Sequence, residues 1–122
     1  MTGNHKDIGA WGEERAARYL RHKHYHIVDR NFSCKFGEID LIVKNREYLV
    51  FVEVKQRQES DYGLPREFVT AAKQSRLRQT AMLWLMQHPT ELQPRFDVVE
   101  IYAPEGTATK KPQIVHLENA FS

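Results

Sequence analysis

The chain has 122 residues, 41% hydrophobic and 28% charged, with a formal net charge of +2 and a pI near 8.7. Those values exclude a disordered polymer and allow a real core, and they are too mildly basic to announce a nucleic-acid binder by charge alone. A lone cysteine, Cys34, excludes an internal disulfide and a Cys-rich zinc site, and no apolar run approaches the roughly 20 residues that span a bilayer.

Met1 to Asp7 carries no apolar signal core, so the expectation is one cytoplasmic domain over residues 1–122. Residues 5 to 23 read as a helix whose stripe is Ile8, Trp11, Gly12, Ala16, Tyr19 and Leu20. Gly9 and Gly12 cost helix propensity, which makes sense if another backbone packs closely there. Tyr25 to Phe32 predicts a short strand. Glu38 to Lys44 and Glu47 to Gln56 predict a strand pair around a turn at Lys44 to Glu47. Glu59 to Pro65 reads as a loop. A second helix starts near Arg66 or Thr70, carries Leu77, Ala81, Trp84 and Leu85 on one stripe, and stops at Pro89. Arg95 to Ala103 and Gln113 to Glu118 predict two more strands around a polar loop. The order is α-β-β-β-α-β-β, which fits an α/β fold with a mixed sheet flanked by helices.

Two acids interrupt the most apolar strands. Glu53 sits inside Leu49 to Val54, and Asp40 inside Ile39 to Ile42. If the hairpin turns at Asn45-Arg46, Val43 faces Tyr48, Asp40 faces Phe51 and Glu38 faces Glu53. Alternation then projects Glu38, Asp40, Glu53 and Lys55 from one side. Opposed carboxylates with Cβ atoms about 5 Å apart repel by about 3 kcal/mol at an effective dielectric of about 20. Something must compensate. A divalent cation does so directly, and oxygen ligands select a hard ion such as Mg²⁺ or Mn²⁺. Lys55 beside such a site could stabilise a phosphate or help deprotonate water, a plan for phosphodiester hydrolysis. The ordinary alternative is an edge-strand salt bridge for Glu53 and Lys55, with Asp40 capping a turn or paired with an arginine.

Asp40 followed by Glu53-Val54-Lys55 resembles the PD-(D/E)xK motif of restriction-endonuclease-like nucleases. More closely, the chain resembles the uncharacterised bacterial YraN-like family, itself similar to archaeal Holliday junction resolvases. The likeness runs through Gly9-Ala10-Trp11-Gly12-Glu13, Arg30-Asn31-Phe32, Gly37-Glu38-Ile39-Asp40-Leu41-Ile42 and Phe51-Val52-Glu53-Val54-Lys55-Gln56-Arg57. It continues in Arg95-Phe96-Asp97-Val98-Val99 and Asn119-Ala120-Phe121. It implies a restriction-endonuclease-like fold, with Asp40, Glu53 and Lys55 catalytic and the metal held by Glu13, Asp40 and Glu53. Glu38, Arg57, Lys73 and Gln74 are the further candidates, as supports of the ligands or contacts to DNA. The family usually has a glycine before Tyr25. His24 stands there instead and is expected to alter a turn.

His22, His24 and His26 straddle a helix end with no completing ligand and are expected to be exposed. Trp11 and Trp84 belong to core stripes, and Phe121 is expected on the sheet. Tyr62, in the loop after the motif, is a weaker candidate for touching nucleic acid. The basic groups Arg15, Arg18, Arg21, Lys23 and Lys73, Arg76, Arg78 could meet phosphates, or form solvated helix faces. The leading expectation is a Mg²⁺- or Mn²⁺-dependent endonuclease acting on DNA, branched or otherwise structured, with a homodimer suited to two scissile strands. The alternatives are a non-cleaving or partner-dependent nucleic-acid-binding module and a structural interaction protein whose acids are balanced by arginines.

Overall fold

The computed structural model describes residues 5–58 and 69–122. The loop expected at Glu59 to Pro65, with Tyr62, lies outside them, as does the side chain of Ile8. The elements are α1 (His5–His22), β1 (His26–Cys34), β2 (Gly37–Lys44), β3 (Tyr48–Arg57), α2 (Ala71–Gln87), β4 (Gln93–Tyr102), a 3-10 turn at Gly106–Ala108 and β5 (Gln113–Phe121). The α-β-β-β-α-β-β order is the expected one. The sheet is five-stranded, in the order β1-β2-β3-β4-β5. Only β3 and β4 run parallel, so the chain between them must cross over, and α2 lies in that crossover. No helix among the described residues is long and apolar enough to cross a membrane.

Each helix covers one face. Ala16, Ala17 and Leu20 of α1 pack on Leu41, Val43, Val50, Val52, Val99 and Ile101, with Trp11 and Tyr19 beside them. Leu77, Ala81 and Trp84 of α2 pack on Ile42, Leu49, Phe51 and Val98. Both predicted stripes therefore face the sheet, and Phe121 stacks on Phe96 at 4.8 Å. Gly12 has a reason to be glycine: a Cβ there would collide with the Gln56 side chain. The neighbour is thus a side chain and not a backbone, and Gly9 faces open space.

The β2–β3 hairpin corrects one expectation. The pairs are Leu41↔Val52, Ile42↔Phe51, Val43↔Val50 and Lys44↔Leu49, two residues away from the register expected from a turn at Asn45-Arg46. The cause is local. Asn45 N–H donates to Tyr48 O at 3.0 Å, and Asn45 Oδ1 accepts from Glu47 N–H at 2.9 Å and Tyr48 N–H at 2.8 Å. The turn is therefore centred on Arg46-Glu47. A two-residue slip keeps the side-chain parity, so each strand keeps its faces.

α1 ends in a Schellman motif. Tyr25 N–H donates to Leu20 O at 3.0 Å and His24 N–H to Arg21 O at 2.9 Å. His24 sits at the left-handed position with φ 72°. The turn therefore forms with histidine where the expected glycine would carry no steric cost. His22, His24 and His26 are all exposed.

Under α1 lies a buried polar network. Asp97, 1% exposed, receives Arg95 through two bonds of 2.9 and 2.8 Å. It also meets His116 Nε2 at 2.7 Å and Asn119 N–H at 2.9 Å. Arg95 donates to Tyr25 O–H at 2.6 Å, and Tyr19 O–H meets His116 Nδ1 at 3.3 Å. Burial opposes the charge on Asp97, but His116, Arg95 and Asn119 outweigh it and hold the carboxyl below its usual range. The network ties β4 to β5, to the entry of β1 and to α1.

His24→Gly removes the left-handed penalty and is expected to stabilise the protein by about 1 kcal/mol, a rise of about 4 °C in Tm by thermal denaturation. Asp97→Ala takes the buried carboxylate from Arg95 and leaves it the exposed Glu118 at 3.3 Å, and a loss of about 3 kcal/mol is expected in urea unfolding.

Candidate active site

The β2–β3 ladder stops at Leu41↔Val52. Beyond it the Asp40 Oδ2 accepts Val54 N–H at 2.8 Å, so a side chain fills the place of the next main-chain acceptor. Strict alternation would put Ile39 and Ile42 on opposite faces, yet both join the α2 cluster. The strand turns over at Asp40. Gly37 begins this stretch at φ 152°, a conformation open to glycine, with Thr80 and Arg76 beside the place a Cβ would take.

Asp40 is half-buried. Burial first, and then the Glu53 charge, push its carboxyl up to about 7 against the opposing bond from Val54; Glu13 and Glu38 add to the rise. Asp40 therefore feels the other three acids, and of the four residues expected on one side Glu38, Asp40 and Glu53 line one cleft while Lys55 lines another. Glu38 is exposed and accepts from Ser33 Oγ on β1 at 3.0 Å. Asp40 occupies the gap between strands. Glu53 and Lys55 keep the α2 side, where Glu53, 9% exposed, pairs with Lys73 Nζ at 3.0 Å. Lys55 is half-buried and lines a cavity of about 370 Å³ with Val69, Gln74 and Glu100.

Glu13 lies on a half-buried side of α1. Burial raises its pKa and the charge of Glu38 adds to that, while a bond from the Asn31 side chain and the charge of Arg30 oppose it. Asn31 adopts φ 51°, a conformation Asn tolerates better than most residues. Of the remaining candidates, Arg57 grips Glu100 at 3.1 Å. Gln74 donates to Val69 O at 2.8 Å.

Three residues escaped the sequence reading as site residues. Asn31 lay inside a quoted motif without a role. Arg76 was seen only as part of a basic group, yet it lines a cleft with Glu38, Asp40, Glu53 and Lys73. Glu100, 1% exposed, is an acid inside Val98 to Tyr102, the same signal that singled out Glu53.

Lys73 also sits oddly for its helix. Thr70 caps α2, its Oγ1 accepting Lys73 N–H at 3.2 Å. The third helical position after a Thr cap favours Glu or Gln. Here it is lysine, and no acid occupies the first turn. A cation at that positive end costs an exposed helix about 0.3–1 kcal/mol.

The donor set suits a hard divalent ion, because Mg²⁺ sites commonly use one or two carboxylates completed by water and substrate oxygens. Asp40 and Glu53 meet that requirement. Among the described residues no three His, Cys, Asp or Glu side chains are gathered around one point, and Lys73 stands where Glu53 would meet a cation.

Fold and site define an α/β protein with a mixed sheet, in which Asp40 stands where two strands part, beside the charge of Glu53. Residues 12–101 match Uncharacterised protein family UPF0102, and the chain belongs to that family. A UPF0102 protein of Syntrophomonas wolfei is 43% identical over 117 residues, covering 95% of this chain and 98% of the relative. One from Caldanaerobacter subterraneus is 42% identical over 120 residues, covering 97% of each. One from Rhodococcus jostii is 46% identical over 117 residues, covering 93% and 95%.

An acid whose folded pKa stands above its unfolded value binds its proton more tightly when folded. The stability Asp40 contributes is therefore full at low pH and is lost as pH rises through about 7. Asp40→Asn removes that dependence and keeps an acceptor for Val54 N–H. At about pH 8 the variant is expected to exceed wild type by roughly 1–3 kcal/mol, and by nothing at about pH 4, in paired urea titrations.

Proposed function

We propose that this protein is a Mg²⁺- or Mn²⁺-dependent endonuclease hydrolysing phosphodiester bonds in DNA, with branched or otherwise structured DNA as its substrate. The reading rests on one observation: the β2–β3 ladder opens at Asp40, whose carboxyl feels the charge of Glu53, with Glu13 and Glu38 adding negative charge. A rigid sheet holding acids at such an opening is a poor structural device, since it costs stability, and a good cation site. The element order and the spacing Asp40…Glu53-Val54-Lys55 support a restriction-endonuclease-like scaffold.

In this reading Asp40 and Glu53 hold the metal, with Glu13 as the third acid. The cation, when bound, supplies Lewis acidity toward a phosphate oxygen. Lys55 directs its ammonium at charge developing on the phosphate. Arg57 holds Glu100 beside Lys55 and so orients that side of the site. The exposed Lys73 and Arg76 meet DNA phosphates, and a homodimer presents two such sites to a junction.

The pairing of Glu53 with Lys73, with no three acids converging among the described residues, favours a second reading. The protein is then a nucleic-acid-binding module that cuts only with a partner, or not at all.

Cleavage of labelled four-way-junction, flap, duplex and single-stranded DNA, with Mg²⁺, Mn²⁺ or EDTA, separates the two. Metal-dependent cutting that falls at least roughly 100-fold in both Glu53→Ala and Lys55→Ala is expected. Metal binding without cutting of any substrate transfers the assignment to the binding module.

A further inference from the structure

The protein neutralises its buried acids in two different ways. Asp97 is gripped by two bonds from Arg95, itself 9% exposed, and by His116. Glu100 is held by Arg57, whose side chain is 20% exposed. Both partners are rigid guanidiniums held largely inside the protein, Arg95 as a two-pronged fork and Arg57 through Nε at 3.1 Å. Glu53 is treated otherwise. Its ion pair is with Lys73, a flexible point charge, at 3.0 Å.

Exposure is also unequal across that pair. The Glu53 side chain is 10% exposed and the Lys73 side chain 46%. Lys73 can return to water at little cost. Glu53 cannot be left buried and charged without a replacement. Lys73 also occupies a helix position that favours Glu or Gln, so α2 gains nothing from it. Its position makes sense for the cleft of about 190 Å³ that it shares with Glu38, Asp40, Glu53 and Arg76.

We infer that Lys73 is an exchangeable counter-ion of Glu53: its ammonium holds the carboxylate until a divalent cation takes that place, and then turns to a substrate phosphate. The inference rests on the metal-dependent reading above. It makes Lys73 a positioning residue that opposes metal binding while DNA is absent, and so couples metal occupancy to the arrival of a polyanion.

The test is Mn²⁺ affinity by calorimetry, without DNA, for wild type, Lys73→Gln, Lys73→Arg and Glu53→Gln, with thermal denaturation confirming that each is folded. Lys73→Gln removes the competitor and is expected to bind Mn²⁺ about 5- to 10-fold more tightly. Lys73→Arg grips Glu53 as a fork and is expected to bind several-fold more weakly than wild type. Glu53→Gln should lose the site. Mn²⁺ binding in Lys73→Gln alone, with none in wild type, also supports the inference. Wild-type binding that Lys73→Gln leaves unchanged or weakens overturns it and leaves the metal reading standing. Absence of Mn²⁺ binding in both wild type and Lys73→Gln overturns the two together. Should Lys73→Gln fail to fold, Lys73→Arg decides, since equal or tighter binding there overturns the inference.

Discussion

The hydrogen bond from Val54 N–H to the Asp40 carboxylate governs the architecture around the site. Two antiparallel strands that part leave main-chain groups without partners, and buried unpaired groups are costly. Asp40 satisfies one of them with a side chain. In doing so it is fixed at the opening, half-buried, beside Glu53 and within the field of Glu13 and Glu38. The parallel ladder on the other side of β3 makes the opening affordable. It runs unbroken from Tyr48↔Gln93 to Arg57↔Tyr102 and keeps β3 straight where β2 leaves it.

Periodicity carried the element order because each helix has an apolar stripe, though α2 also exposes Met82 and Met86, and the strands are short apolar runs. It could not carry the hairpin register. That was decided by Asn45, whose side chain caps the turn and moves its centre to Arg46-Glu47. Nor could alternation show that β2 turns over at Asp40, since Ile39 and Ile42 look alike in sequence whichever face they take. The Asp97 network was illegible for a different reason. Its members, Tyr19, Tyr25, Arg95, Asp97 and His116, are spread along the chain, and only the fold brings them together. Glu53 was legible as a charge out of place. Glu100 sent the same signal from β4, and the two acids lie on neighbouring strands, with Glu100 opposite Lys55.

Local conformation places the rest of the site. Lys73 and Gln74 are adjacent on α2, and the apolar stripe gave Gln74 the better claim to the site. The structure divides them. Gln74 turns to the Val69 carbonyl and the cavity near Lys55, whereas Lys73 reaches Glu53. Stripe position reports which side of a helix is buried, and a long, flexible side chain is free of that constraint.

Gly12 and Glu13 make the same point at α1. The missing Cβ of Gly12 lets the helix settle against Gln56 on β3, and Glu13 follows directly in the chain. A bulkier residue at Gly12 would have to displace the end of the Gln56 side chain. Asn31, held at φ 51°, reaches Glu13 from β1 and fixes the acid from the other side. Two residues that bear no charge thus border Glu13, one beside it in the helix and one bonded to its carboxyl. The helix glycine and the strand asparagine belong to the acidic site as much as the acids do, because the distance between like charges is the quantity the fold has to hold.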